Sequence, residues 1–212
     1  MDKKTFEKIM GIFNKMYPNV TVSLNFNSAF ELVICLILAA QCTDKRVNEV
    51  TKDIFDKYNK PEDFANMDIE KLEKLIKPCG FFRNKAKNIQ KASKQIIENF
   101  NGIVPNTMED LQTLAGIGRK SANCILADVF HDPQGVAIDT HAKRICNRLG
   151  ISKSDNPLKI EQDLLNVADK KHWQNLNLIL VSHGREFCKA KNPLCYKCEL
   201  QTLCKYYINN KN

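Results

Sequence analysis

The stretch Leu111 to Val129, LQTLAGIGRKSANCILADV, carries two glycines one residue apart, Gly116 and Gly118, inside an otherwise helical apolar pattern. The chain has to turn sharply at Gly116-Ile117-Gly118 and start a second helix at once, because glycine enters backbone conformations that other residues reach only at a cost. In that second helix Ala122, Ile125, Leu126, Val129 and Phe130 recur at the spacing of a single buried stripe. Lys120 points elsewhere. It shares a face with Cys124, Ala127 and His131, small or weakly polar groups that suit the wall of a cleft better than a solvated surface. Upstream, Thr107 followed by Asp110 is a helix-start signature, with Leu111 and Leu114 inward. The unit reads as helix, hairpin, helix. A Gly-x-Gly turn at a helix N-terminus leaves backbone N–H groups that suit a phosphate oxygen, and such a contact grips a nucleic-acid backbone without reading its sequence. Taken alone, the glycines favour the plainer reading, a tight turn between two helices followed by a solvated lysine, because a lone Gly-x-Gly is a weak signal.

The chain on either side is a succession of helical signals with no convincing strand, so the expected class is all-α. Phe6, Ile9, Met10 and Phe13 make a terminal helix that Pro18 ends. Ser28-Ala29-Phe30-Glu31 is a capping box opening Leu32 to Ala40, a run apolar on every side and therefore the central core helix. Polar Gln41, Thr43 and Asp44 stand where it emerges. Short helices over 61–66 and 69–76 lead to a break at Pro78-Cys79-Gly80, then Phe81 and Phe82. The helix Asn84 to Phe100 is expected to bury Ala86, Ile89, Ile96 and Ile97 and to display Lys85, Lys87, Lys91 and Lys94 to solvent or to a polyanion. Asp132-Pro133-Gln134-Gly135 is the clearest linker. Beyond it come Asp139-Thr140-His141, with Asp139 placed to cap a helix from Thr140 to Leu149, a helix opened by Asn156-Pro157, and a last long one from Trp173 to Phe187. A polar tail runs from Asn209 to Asn212.

With 212 residues the chain can hold one large domain or two modest ones. Thirty-two Lys and Arg against 24 Asp and Glu leave +8, a balance that favours a polyanionic partner. The N-terminus lacks the apolar segment of a secretory signal, and Leu32 to Ala40 falls well short of the about 20 residues that span a bilayer. The expectation is a soluble intracellular protein with no membrane association.

Nine cysteines are many for this length, and four of them, Cys188, Cys195, Cys198 and Cys204, fall within one short basic loop beside Lys189, Lys191 and Lys197. An odd total and the missing signal argue against a disulfide framework and for a reducing compartment. Four thiolates with only one two-residue spacer can wrap a polynuclear centre. A single tetrahedral zinc and four free thiols remain open readings.

Together, Leu114-Ala115-Gly116-Ile117-Gly118-Arg119-Lys120-Ser121-Ala122-Asn123, Asp139-Thr140-His141 and the four cysteines resemble the endonuclease III family of the helix-hairpin-helix superfamily of DNA repair glycosylases. The resemblance runs collinearly from about Phe6 to Cys204, and Gln41, Thr43-Asp44 and Gly80-Phe81 also fall where the family has its motifs. It implies a two-lobed helix-hairpin-helix glycosylase fold. One lobe is a six-helix barrel over 22–132, and the other joins 1–21 to 133–212 and carries a [4Fe-4S] cluster on Cys188, Cys195, Cys198 and Cys204. It further implies a monomer, cytoplasmic and nucleoid-associated, whose partner is double-stranded DNA with damaged pyrimidines or abasic sites. Lys120 would be the nucleophile and Asp139 its partner carboxylate. Gln41 would enter the gap left by an extruded nucleotide, with Phe81 as wedge where the family often has leucine. Gly116, Gly118, His141 and Lys191 would contact DNA. Ala115 stands where the family often has proline.

Two other functions compete. A monofunctional mismatch glycosylase of the same superfamily usually lacks a lysine at position 120. A non-catalytic DNA-binding module with structural zinc leaves Lys120, Asp139 and Gln41 without a role.

Overall fold

The computed structural model describes residues 1–210; Lys211 and Asn212, the end of the polar tail, lie outside the described residues. Among the described residues there is no β-strand, so the all-α expectation holds. The chain forms two compact units, Val22–Phe130 and Met1–Thr21 with His131–Asn212, each with its own core.

The first unit is built on α2, Ala29–Ala39, since α1, Lys3–Met16, belongs to the other unit. Every residue of α2 from Phe30 to Leu38 is buried, as a helix without a polar face demands. Its start is fixed by Ser28, whose hydroxyl accepts the Glu31 N–H at 3.1 Å. The Glu31 carboxylate reaches back to the Asn27 N–H at 2.6 Å, one residue earlier than a capping box requires. Around α2 stand α3, Asp44–Phe55, α4, Pro61–Ala65, α5, Ile69–Ile76, α6, Phe82–Phe100, α7, Met108–Leu111, and α8, Arg119–Asp128. α2 packs directly on α3, α6 and α8, and α6 also carries α4 and α5. Phe30 meets Phe64 of α4 edge-on at 5.6 Å. Among these seven α-helices Pro61–Ala65 and Met108–Leu111 are the shortest, and a 3₁₀ turn, Lys77–Cys79, precedes α6.

One sequence reading fails on α6. The helix starts at Phe82, before the expected Asn84, and its lysine face is not uniformly solvated. Lys87, Lys91 and Lys94 are exposed, but Lys85 is only 4% exposed.

In the second unit α1 packs with α9, Thr140–Leu149, α10, Pro157–Leu165, and α11, Lys170–Glu186, around Phe6, Phe13, Ile145, Leu164 and Leu180. α11 begins three residues before the expected Trp173, leaving the Trp173 indole N–H to donate to the Ala168 carbonyl at 3.0 Å. α9 and α11 approach closely at Gly184, where a Cβ would lie 2.5 Å from His141 Nδ1. α12, Lys205–Asn209, closes the described chain.

The fold predicts graded costs in denaturant unfolding. Leu32→Ala, at a fully buried site of α2, should cost about 2–5 kcal/mol. Ser28→Ala should cost about 1 kcal/mol through loss of the cap, and Leu158→Ala, at an exposed site, less than about 0.5 kcal/mol.

Candidate active site and cysteine centre

The hairpin is held from below. Gly116 adopts φ +81°, and a Cβ there would come within 3.2 Å of Asn88 on α6 and 3.3 Å of Ile37 on α2, so both conformation and space call for glycine. Ile117 is buried, and its N–H bonds the Leu114 carbonyl at 3.0 Å. Gln95 of α6 staples the approach, its amide oxygen accepting the Ala115 N–H and its amide N–H donating to the Thr113 carbonyl, both at 2.9 Å. Nothing in the sequence motif marked Gln95. Gly118 has an ordinary extended backbone, caps α8, and faces open space. α8 therefore leaves a hairpin whose two glycines are both exposed, the first with its Cβ position facing Asn88 and Ile37 and the second facing open space.

Lys120 stands in the first turn of α8 and is exposed, not sunk into a wall as its neighbours in the sequence suggested. Cys124 and Ala127 on the same face are half-buried and buried. Asp139 caps α9, its Oδ1 accepting the Ala142 N–H at 2.7 Å, and is half-buried. It lies near enough to Cys146 to add to the effect of burial, which pushes that thiol up to about 12. Lys120 belongs to the first unit and Asp139 to the second. His141, in the first turn of α9, is within 3.1 Å of Arg144 Nη2 and lies against Gly184.

Gln41 and Phe81 share an unusual backbone. Both are exposed, Phe81 at 64%, and both are non-glycine residues with positive φ, +54° and +47°. Gly80, next to Phe81, has φ +69°. Phe82, half-buried, begins α6.

Cys188, Cys195, Cys198 and Cys204 line one cavity in the second unit, with Ile145, Arg148, His183 and Leu200 among its walls. The loop owes its shape to α9 and α11. Arg148 donates to Cys188 Sγ at 3.3 Å, to the Lys189 carbonyl at 2.7 Å and to the Ala190 carbonyl at 3.1 Å. Arg144 holds the Cys188 carbonyl at 2.9 Å. Buried His183 lies 3.7 Å from Cys198 Sγ through Nε2 and 3.1 Å from the Tyr17 hydroxyl through Nδ1. Burial drives His183 down to about 4, so near neutrality the ring is uncharged and can donate from one nitrogen only. Arg144, Arg148 and His183 were not singled out from the sequence, where no motif ties them to the cysteines. Lys191 is exposed on the same loop.

The thiols fit a cationic guest. Burial pushes Cys198 up to about 11, with the other three cysteines adding to it, and also raises Cys195 and Cys204. Several thiolates share such a pocket only when metal cations take up their charge. Among the described residues no three His, Cys, Asp or Glu side chains are disposed to hold one metal ion.

This fold and hairpin define a helix-hairpin-helix DNA repair protein. The HhH-GPD superfamily of base excision DNA repair proteins matches residues 34–170. Endonuclease III of Synechocystis sp. is 45% identical over 202 residues, covering 95% of this chain and 92% of that protein. Endonuclease III of Bacillus subtilis is 41% identical over 206 residues, covering 97% and 94%. A trapped endonuclease III–DNA covalent intermediate is similar in structure, with TM-score 0.93 and 37% identity over 100% of both chains. A non-covalent endonuclease III–DNA complex matches with TM-score 0.92, again at 37% identity, over 100% of this chain and 99% of that one. The chain belongs to the HhH-GPD superfamily and, within it, to the endonuclease III family.

The two hairpin glycines should respond differently to alanine. Gly116→Ala should lower stability by about 1–3 kcal/mol, because a Cβ at φ +81° is both strained and crowded. Gly118→Ala should cost about 1 kcal/mol or less, the price of a poorer cap. Paired denaturation curves check the contrast.

Proposed function

We propose that this protein is a base excision repair enzyme that removes oxidised pyrimidines from duplex DNA and cleaves the strand at the resulting abasic site. The observation that carries the reading is the hairpin at Gly116–Gly118. It delivers an accessible glycine amide and Lys120 side by side at the start of α8. The endonuclease III relatives, among them one trapped as a covalent DNA intermediate, support it. No helix of the described residues is long and apolar enough to cross a membrane, and a cytoplasmic, monomeric enzyme with net charge +8 fits a duplex DNA substrate.

In this reading the Gly118 amide and its neighbours hold a backbone phosphate. The damaged nucleotide is extruded, Gln41 enters the gap, and Phe81 wedges the stack. The Lys120 amine, having given up a proton, attacks C1′, and the C1′–N bond breaks as the base departs with its electron pair and is protonated. A second proton loss opens the sugar to the Schiff base. Removal of a C2′ proton then expels the 3′ phosphate. Asp139, fixed in direction by its bond to the Ala142 N–H, supplies the carboxylate that accepts a proton or stabilises the cationic sugar. His141 and Lys191 contribute to DNA contact. Lys120 also separates this reading from a monofunctional mismatch glycosylase.

Cys188, Cys195, Cys198 and Cys204 are the ligands of a [4Fe-4S] cluster. Four cysteines lining one cavity, with Arg148 and His183 positioned to hydrogen-bond two of their sulfurs, support this over a single zinc. The cluster would supply structural cross-linking of the loop that presents Lys191.

Borohydride trapping on abasic-site duplex should yield a covalent adduct with the protein and none with Lys120→Ala; an adduct that survives the substitution refutes Lys120 as nucleophile. Asp139→Asn should keep the helix cap while lowering base release by about 10²-fold or more in single-turnover assays. The purified protein should be yellow-brown with broad visible absorbance, and a colourless protein holding one zinc would sink the cluster.

A further inference from the structure

Lys85 is the buried cation that the proposed reaction leaves unused. It lies on the first turns of α6, 4% exposed, and among the described residues no carboxylate forms an ion pair with it. Burial draws its ammonium below the usual lysine range. Its Nζ donates to the Leu38 carbonyl at 2.8 Å and to the Cys79 carbonyl at 2.9 Å.

Those two acceptors are chain ends of a particular kind. Leu38 is in the last turn of α2, where carbonyls lack helical partners, and the Cys42 N–H bonds Ala39 instead. Cys79 ends the 3₁₀ turn Lys77–Cys79, which packs on α3. Three residues beyond Leu38 stands Gln41, and two beyond Cys79 stands Phe81, both exposed and both at positive φ. One ammonium therefore terminates two helical segments, with the favourable sign of charge at each C-terminus. It also ties together the bases of the two loops.

We propose that Lys85 is a positioning residue that clamps the Gln41 and Phe81 loops at a fixed separation, so that both enter the DNA stack as one unit. This rests on the roles proposed above for Gln41 and Phe81. A buried ammonium with only carbonyl partners is costly to keep, and an apolar residue of similar length would fill the site without bridging the two carbonyls. The donors matter because a misplacement of the order of an ångström at inserted side chains is enough to spoil extrusion.

The test compares Lys85→Met, Gln41→Ala and Phe81→Ala in the full-length protein on two substrates. One is a thymine-glycol duplex with 2-aminopurine opposite the lesion, whose fluorescence rises on unstacking. The other is a single-stranded abasic oligonucleotide, which needs no extrusion. Lys85→Met should lower base release from the duplex by about tenfold to a hundredfold and abolish the fluorescence rise, while strand cleavage of the single strand stays within about threefold. An equal fall on both substrates, or an unchanged fluorescence rise, overturns the clamp. If Lys85→Met does not fold, Lys85→Gln, whose amide still donates to one carbonyl, is judged by the same criteria with a smaller expected loss. Should Gln41→Ala and Phe81→Ala leave extrusion intact, the insertion roles themselves fail and the clamp falls with them. If they impair extrusion and the Lys85 variants do not, only the clamp is lost.

Discussion

A helix with no polar face has to be enclosed, and α2 is such a helix. From Phe30 to Leu38 only the Glu31 carboxylate, taken up by the Asn27 N–H, is a group that water would solvate, so the other helices of its unit exist in part to cover it. Its ends are the harder problem, because burial does not remove the need to satisfy free N–H and C=O groups. Ser28 and Glu31 solve it at the N-terminus. At the C-terminus Leu38 takes a bond from Lys85 on α6. The same enclosure presses Ile37 against the hairpin, so that a side chain at Gly116 would crowd it. The position from which Lys120 departs is thus set by the packing of α2.

The cysteine loop obeys another logic. It sends Leu200 into the core and packs Leu203 and three of its cysteines against it, and neighbouring helices fix the rest of its course through polar contacts. Arg148 makes three of these from α9, Arg144 a fourth, and His183 reaches the loop from α11. With a thiolate at Cys198, neutral His183 donates from Nε2 and accepts the Tyr17 hydroxyl at Nδ1, a consistent chain of donors running from α1 to the loop. Arg148 likewise faces the Cys188 sulfur with N–H groups. A pocket so furnished is prepared for sulfur that carries negative charge, which thiols raised by burial do not carry unaided.

What the sequence disclosed was what depends on near neighbours. Caps at Ser28, Thr107, Asp139 and Asn156 were readable because the partner N–H lies two or three residues away. The all-round apolar run of α2 and the apolar stripes of α8 and α9 were readable because each is a local pattern. Lys85 was misread for a definite reason. On its own helix it follows the spacing of solvated lysines, and its partners lie 47 and six residues distant, in turns whose meeting no periodicity encodes. Gln95 and Arg148 escaped notice likewise, since their acceptors belong to other elements. Lys120 was placed on the right helix, but its exposure reflects how the first turn projects from the hairpin, which side-chain spacing along α8 does not contain.

The backbone conformations at Gln41 and Phe81 bear on function independently of any motif. A non-glycine residue held at positive φ costs of order 1–3 kcal/mol and persists only where its surroundings leave no alternative. Here two such residues are exposed, and neither gains compensating burial of its own. The compensation lies behind them, in the carbonyls that Lys85 holds and in the packing of the 3₁₀ turn against α3. The buried cation thus serves both the core, by satisfying the last turn of α2, and the bases of two outward-facing loop tips. In the function proposed, what it preserves beyond the core is the direction in which the two side chains point, toward a duplex that receives them.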